Sequence, residues 1–224
     1  MTRAIIIGLT ILVLSGCAEM GTKQDAYPSM YTAGKPVSML IVPAINESTA
    51  ADAGDLLNVT VTQPFSNHGY YVMPMPIVAD IFRREGILEG TQIKGLPTSI
   101  FKKNFGADSV MFMTIESWDK NYAIIAGNVT VNIEYVLLST ETNEVLWSYD
   151  ATVVVDTSGG SGNILASVIS TAISTGLTDY VPIAFQVHAT ASQALPYGKY
   201  HPKSGLDGAQ KSVNLALKDE ALAE

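Results

Sequence analysis

The sequence predicts an α/β (α+β) fold, with a mixed β-sheet of about five strands, helices packed on it, and a long C-terminal helical segment. Three observations predict it. Apolar runs of strand length alternate with helix-period stretches in the first half. Three β-rich segments then follow one another. A small-residue-rich stretch with helical stripes comes last. The chain has 224 residues, 47% hydrophobic and 15% charged, which suits one packed domain and excludes a disordered chain.

Val37–Ala44 is an apolar run of the kind found in strands buried on both faces. Asn46-Glu-Ser-Thr is expected to open a helix, with Ser48 or Thr49 as its cap, and Leu57, Val61 and Phe65 share a face of that helix. Pro64 falls inside this pattern and predicts a kink or a shortened helix. Gly69–Met73 reads as a second strand, parallel to the first through a right-handed crossover. Helices are predicted at Ile77–Glu85, ended by Gly86, and at Leu96–Phe105, with Pro97 in the first turn and Gly106 closing it.

Ala107–Ser117, Asn128–Ser139 and Val145–Asp156 read as an antiparallel meander, the last two joined by the polar turn at 140–144. Val129, Val131, Ile133, Tyr135 and Leu137 alternate with Thr130, Asn132 and Glu134, as in a sheet with one covered face. Thr157–Gly162 is a loop, and Asn163–Leu195 reads as helix, divided in two around Gly176 and Pro182. Residues 164–178 are uncharged, but rich in Ser and Thr and short for a membrane span, so packing against the sheet is expected.

The N-terminus carries a processing signal. Arg3 and the amine supply the positive end, and Ala4–Leu14 is an uncharged run of 11 residues. At about 1.5 Å per residue it covers roughly half a bilayer core, as the apolar region of a signal peptide does. Leu14-Ser-Gly-Cys17 resembles a bacterial lipobox, with cleavage between Gly16 and Cys17. Cys17, the only cysteine, is the lipidation residue and takes a diacylglycerol and an N-acyl chain. Several acyl chains make such anchoring stable. Ala18 in place of an acid favours the outer membrane over inner-membrane retention, by resemblance to enterobacterial sorting rules. The segments are therefore residues 1–16 as signal peptide, 17–35 as lipidated Cys and tether, 36–202 as one periplasmic domain and 203–224 as a loosely attached tail.

The net charge of −8 excludes nucleic acid as a partner and argues against a polybasic grip on anionic lipid. A single cysteine excludes a disulfide framework and a Cys-based zinc cluster. His68, His188 and His201 show no metal-ligand spacing, so neither a metal nor another cofactor is expected. His188 lies on an apolar helix, where a hydrogen-bonded core histidine is expected. Ser161 lacks the context of a catalytic elbow. Glu85 with Glu89, and Glu116 with Asp119, read as solvated acids. No nucleophile-base-orienter set appears, which points away from an enzyme. Pro196–Pro202 is stiff and aromatic. It reads either as a partner-binding loop bearing Tyr197, Tyr200 and His201, or as a chain-terminating loop pinned by Tyr197 and Tyr200.

Four blocks carry a family resemblance: Val42–Asp52, Gly69–Pro74, Gly106–Val110 with Trp118 and Tyr122 downstream, and Leu195–Pro202. Together they resemble the genome-derived neisserial antigen lipoproteins, a family of unknown function, from about Val37 to Pro202. The resemblance implies a periplasm-facing lipoprotein whose domain is similar to that of the curli-secretion channel lipoprotein and to the amino-terminal domain of TolB. It implies partners among envelope lipoproteins, a curli-channel-like one included, and brings no catalytic residues. The expected role is a non-catalytic docking subunit of an envelope secretion or transport-type assembly, with homo-oligomerisation left open. The alternative is an accessory lipoprotein regulating cell-wall synthesis enzymes. The short stretch from Ala18 to Lys35 favours action near the membrane.

Overall fold

The computed structural model describes residues 21–121, 128–156 and 180–212. The predicted signal segment, Cys17, the loop at 157–162, the first part of the expected C-terminal helical stretch and residues 213–224 lie outside them.

A sheet of six strands organises the domain. β1 is Ser38–Ile41, β2 Ile45–Asn46, β3 Tyr71–Val72, β4 Ser109–Asn121, β5 Asn128–Ser139 and β6 Val145–Asp156. Their order is β3-β1-β4-β5-β6, with β2 pairing β4 beyond the end of β1. β3, β1 and β4 are parallel, while β4, β5 and β6 form the antiparallel meander. The predicted mixed sheet and the parallel pairing of the first two predicted strands are thus observed. β5 and β6 have the predicted limits, and Asn143, at φ 62, turns the chain between them.

Helices pack on both faces. α2 (Ala53–Thr60), α3 (Thr62–Asn67) and α6 (Val181–Ala194) cover one face; α4 (Met75–Arg84) and α5 (Ser99–Phe105) cover the other, over β1 and the start of β4. The first layer buries Trp118, Tyr135 and Trp147, as the alternation along β5 requires. Each such side chain withdraws enough apolar surface to be worth about 2 kcal/mol or more. The outer face of β5 and β6, with Asn132, Glu134, Ser148 and Asp150, is only half-buried.

Three local expectations are corrected. Asn46–Thr49 does not open a helix. The Asn46 side chain accepts from the Ser48 N–H and hydroxyl and donates to the Ala50 carbonyl, so the polar side chains close a turn and α2 starts at Ala53. The break expected from Pro64 is observed: it is the third residue of α3, where its missing N–H leaves the ladder broken and α2 and α3 separate at Val61. The run Val37–Ala44 is interrupted at Val42–Ala44, leaving two short strands.

The third lies at both ends of the domain. Part of the expected tether is folded: α1 is Lys23–Ala26, followed by a 3-10 turn at Pro28–Tyr31. Ala26, Tyr27 and Met30 are buried in the main core, and apolar side chains that find a core surface do not stay solvated. The start of the expected tail is folded too. Thr22 bridges Lys211, Ser212 N–H donates to the Gly21 carbonyl at 2.8 Å, and Asp207 is fully buried.

Candidate interaction surfaces

The Leu195–Pro202 block is built into the domain by a dense polar clasp. α6 ends at Ala194 and leaves carbonyls without helical partners. The Lys23 ammonium donates to the Gln193 carbonyl at 2.8 Å and the Leu195 carbonyl at 3.1 Å, a cation placed where the helix dipole favours one. It also lies 3.5 Å from the Asp207 carboxylate, which accepts the Tyr197 N–H at 2.9 Å. Both side chains of this ion pair are buried. Burial pulls the Lys23 pKa down, and the Asp207 charge opposes that shift. Burial, together with the Asp207 charge, pushes the Tyr31 hydroxyl pKa up.

α3 and β3 supply the other half of the clasp. His68 Nε2 donates to the Leu195 carbonyl at 2.7 Å, and the Tyr70 hydroxyl donates to the Pro196 carbonyl at 2.7 Å. Gly198 N–H donates to the His68 carbonyl and Tyr200 N–H to the Gly69 carbonyl, each at 3.0 Å. A Cβ on Gly198 would lie 2.3 Å from the Gly69 oxygen, so only glycine permits this backbone approach. Burial depresses the His68 imidazole pKa to about 4; the Leu195 carbonyl opposes that, and the Lys23 charge adds to it.

This geometry separates the three loop residues. Tyr197 is half-buried between His68 and His201, stacked on the His201 ring at 3.8 Å between centroids. His201 is therefore half-buried and held by a ring partner. Tyr200 is 66% exposed, so the pin expected from Tyr197 and Tyr200 comes from Tyr197 with His201 instead. Sequence reasoning missed Lys23, His68 and Asp207. The density of Tyr, Gly, His and Pro at 195–202 marked one side of the clasp, but nothing local marks Lys23 and His68, which stand 172 and 127 positions from Leu195.

His188 behaves as its apolar helix predicts. It is fully buried, with Nδ1 2.8 Å from the Tyr135 hydroxyl and Nε2 3.1 Å from the Leu57 carbonyl. A carbonyl only accepts, so Nε2 carries the proton and Nδ1 accepts from the tyrosine. Burial depresses its pKa to about 3, the carbonyl bond opposing. Glu116 is the bulge residue of β4, bonded to the Asn132 amide, and its pKa is raised by burial and by the charges of Asp150, Glu134 and Glu47. Glu85 and Glu89 are exposed near the end of α4. Among the described residues, no cluster of three or more His, Cys, Asp or Glu is placed to hold a metal. No described helix is long and apolar enough to cross a membrane.

A second surface was not legible in the sequence. A groove of about 480 Å³ runs between α2 and α4, floored by Pro43 and Met75. Val59 and Leu88 line it at 72% and 69% exposure. The Asn58 side-chain oxygen at the groove is buried and has no hydrogen-bond partner, and Arg83 makes no ion pair among the described residues. Helical spacing fixes which residues share a face of α2, but not that the face stays open.

Comparison with known proteins follows this geometry. The chain is 26% identical over 198 residues to a Neisseria meningitidis serogroup B protein named "Putative lipoprotein NMB1124/NMB1162", covering 87% of this chain and 92% of that one. The crystal structure of lipoprotein GNA1162 from Neisseria meningitidis superposes with a TM-score of 0.54 at 26% identity, over 63% of this chain and 98% of that chain. The PelC dodecamer structure from Paraburkholderia phytofirmans gives 0.40 at 18% identity, over 65% and 87%. The family described as "Putative lipoprotein GNA1162-like" matches residues 26–208, a span that includes His68, Tyr70, Leu195–Tyr200 and Asp207 of the clasp but not Lys23, and the chain belongs to that lipoprotein family.

Proposed function

We propose that the chain is a non-catalytic lipoprotein of the outer membrane, anchored through Cys17, facing the periplasm, and docking other lipoproteins in an envelope secretion or transport-type assembly. The observation that carries this reading is the groove between α2 and α4. Its occupant is an extended segment of a sister lipoprotein, of the curli-channel-like kind that the family resemblance implies. Apolar side chains of that segment seat against Val59 and Leu88, a backbone N–H reaches the unpartnered Asn58 oxygen, and a carbonyl or carboxylate pairs with Arg83. The described buried imidazoles support a non-catalytic role, because His68 and His188 each donate to a main-chain carbonyl.

The folded N-terminal segment also supports action close to the membrane. Only four residue steps separate Cys17 from Gly21, a reach of about 14 Å. Such a leash suits contact with neighbouring lipoproteins better than contact with a distant cell-wall synthase.

The test is affinity capture from detergent-solubilised envelopes, comparing wild type with Val59→Asp/Leu88→Asp. Sister lipoproteins captured by wild type and lost with the double variant are expected. Equal capture by both proteins, or recovery of a cell-wall synthase in their place, overturns the proposal.

A further inference from the structure

The loop that follows the clasp, residues 199–211, differs in character from the rest of this acidic chain. Lys199, Lys203 and Lys211 are exposed, and Lys35 joins them by donating to the Ser204 hydroxyl at 2.6 Å. The acids nearby are few. Asp207 is buried against Lys23, and Asp25 is held by Thr22 in a capping box on α1. Among these lysines stand two large apolar residues, Tyr200 at 66% and Leu206 at 76% exposure, the latter the most exposed large hydrophobic of the described residues. An aromatic ring and an aliphatic side chain ringed by lysines suit the boundary between headgroups and acyl chains. The net charge of −8 argued against a polybasic grip on lipid, but a whole-chain sum does not register a local cluster.

The loop is also tied to the point where the chain leaves toward its anchor. Lys23 N–H donates to the Gln210 carbonyl at 2.8 Å, Gln24 N–H to the Gly208 carbonyl at 3.1 Å, and Thr22 bridges Lys211. Four residue steps from Cys17 hold Gly21 within about 14 Å of the acylated sulfur. Lys211, bridged to Thr22, is therefore held on the side from which the chain reaches Cys17.

We propose that residues 199–211 form a membrane-contact surface, with Leu206 and Tyr200 entering the headgroup region and Lys199, Lys203 and Lys211 facing lipid phosphates. The inference rests on acylation of Cys17. It fixes which side of the domain faces the lipid and leaves the groove between α2 and α4 free for a protein.

The experiment uses the full acylated protein reconstituted in vesicles of phosphatidylethanolamine with about 30% phosphatidylglycerol, an anionic surface of the kind that attracts lysines. Leu206→Trp is compared with Val154→Trp, with phospholipid brominated on its acyl chains as quencher. Val154 is 60% exposed and lies six residues along β6, about 20 Å, from Ser148, whose carbonyl accepts the Tyr27 hydroxyl beside α1. Trp118 and Trp147 are buried and give a constant background. The added emission of Leu206→Trp is expected to be quenched at least twofold more than that of Val154→Trp. Adding Lys199→Glu, Lys203→Glu and Lys211→Glu is expected to remove most of that excess. Equal quenching at the two positions, in protein that floats with the vesicles, overturns the inference. Failure of the wild-type protein to float overturns the acylation reading, and this inference with it.

Discussion

Two buried groups set the chemistry of the core at the residue scale. His188 has a pKa near 3 in the folded chain, against 6.5 for an ordinary imidazole. The unfolded chain therefore binds a proton in that interval and the folded chain does not. Stability from this residue is complete above about pH 6.5 and is lost as pH falls toward 3, by at most about 1.4 kcal/mol per pH unit. His68, near 4, adds a loss of the same sign between pH 6.5 and 4. Urea unfolding followed across pH 4–7 is expected to show this slope, and His188→Phe is expected to flatten it. At pH 7 that variant is expected to cost about 2–3 kcal/mol, because Tyr135 and Leu57 lose their partner. The Lys23–Asp207 pair yields a second expectation. Lys23→Met leaves a buried carboxylate uncompensated and is expected to cost about 3–5 kcal/mol, whereas Lys23→Met/Asp207→Leu is expected to cost less than the single variants sum to. Chemical denaturation of the four proteins measures the coupling. His188 was legible in the sequence because it lies in a largely apolar helical stretch. Lys23 and Asp207 were not, since each stands in a polar stretch that composition reads as solvated.

At the scale of elements, the meander was the most legible part of the chain. β5 alternates strictly, and a five-residue polar turn separates it from β6, so period and punctuation agree. The first half was read less well. β1 and β3 are four and two residues long, too short for a period to define their ends. At Asn46–Thr49 the side chains competed with a helix and closed a turn of their own. The stop of α5 was read correctly, since Gly106 adopts φ 71, where a Cβ is strained. Gly106→Ala is expected to cost about 1–2 kcal/mol and to lower the melting temperature by several degrees, as differential scanning calorimetry would show.

On the scale of the whole molecule, a sheet covered unevenly is joined to a fold whose described residues begin and end side by side, at Gly21 and Ser212. The clasp and the groove lie at different places on it, one around Leu195–Asp207 and one between α2 and α4. The sequence marked the first through an unusual local composition and could not mark the second, because an open groove depends on how far two helices stand apart. Cys17→Ser is expected to move the protein from the membrane to the soluble envelope fraction and to remove the acyl mass, as fractionation with intact-mass measurement would read.

The bridge between Thr22 and Lys211 has a mechanical consequence. Because Gly21 and Ser212 are hydrogen-bonded to each other, a pull between these two positions acts on adjacent points of the surface. It peels that short bridge open first and leaves β4, β5 and β6 unloaded. A cargo fused beyond residue 212 would hang from the same corner at which Gly21 begins the described fold, its tension bypassing the sheet.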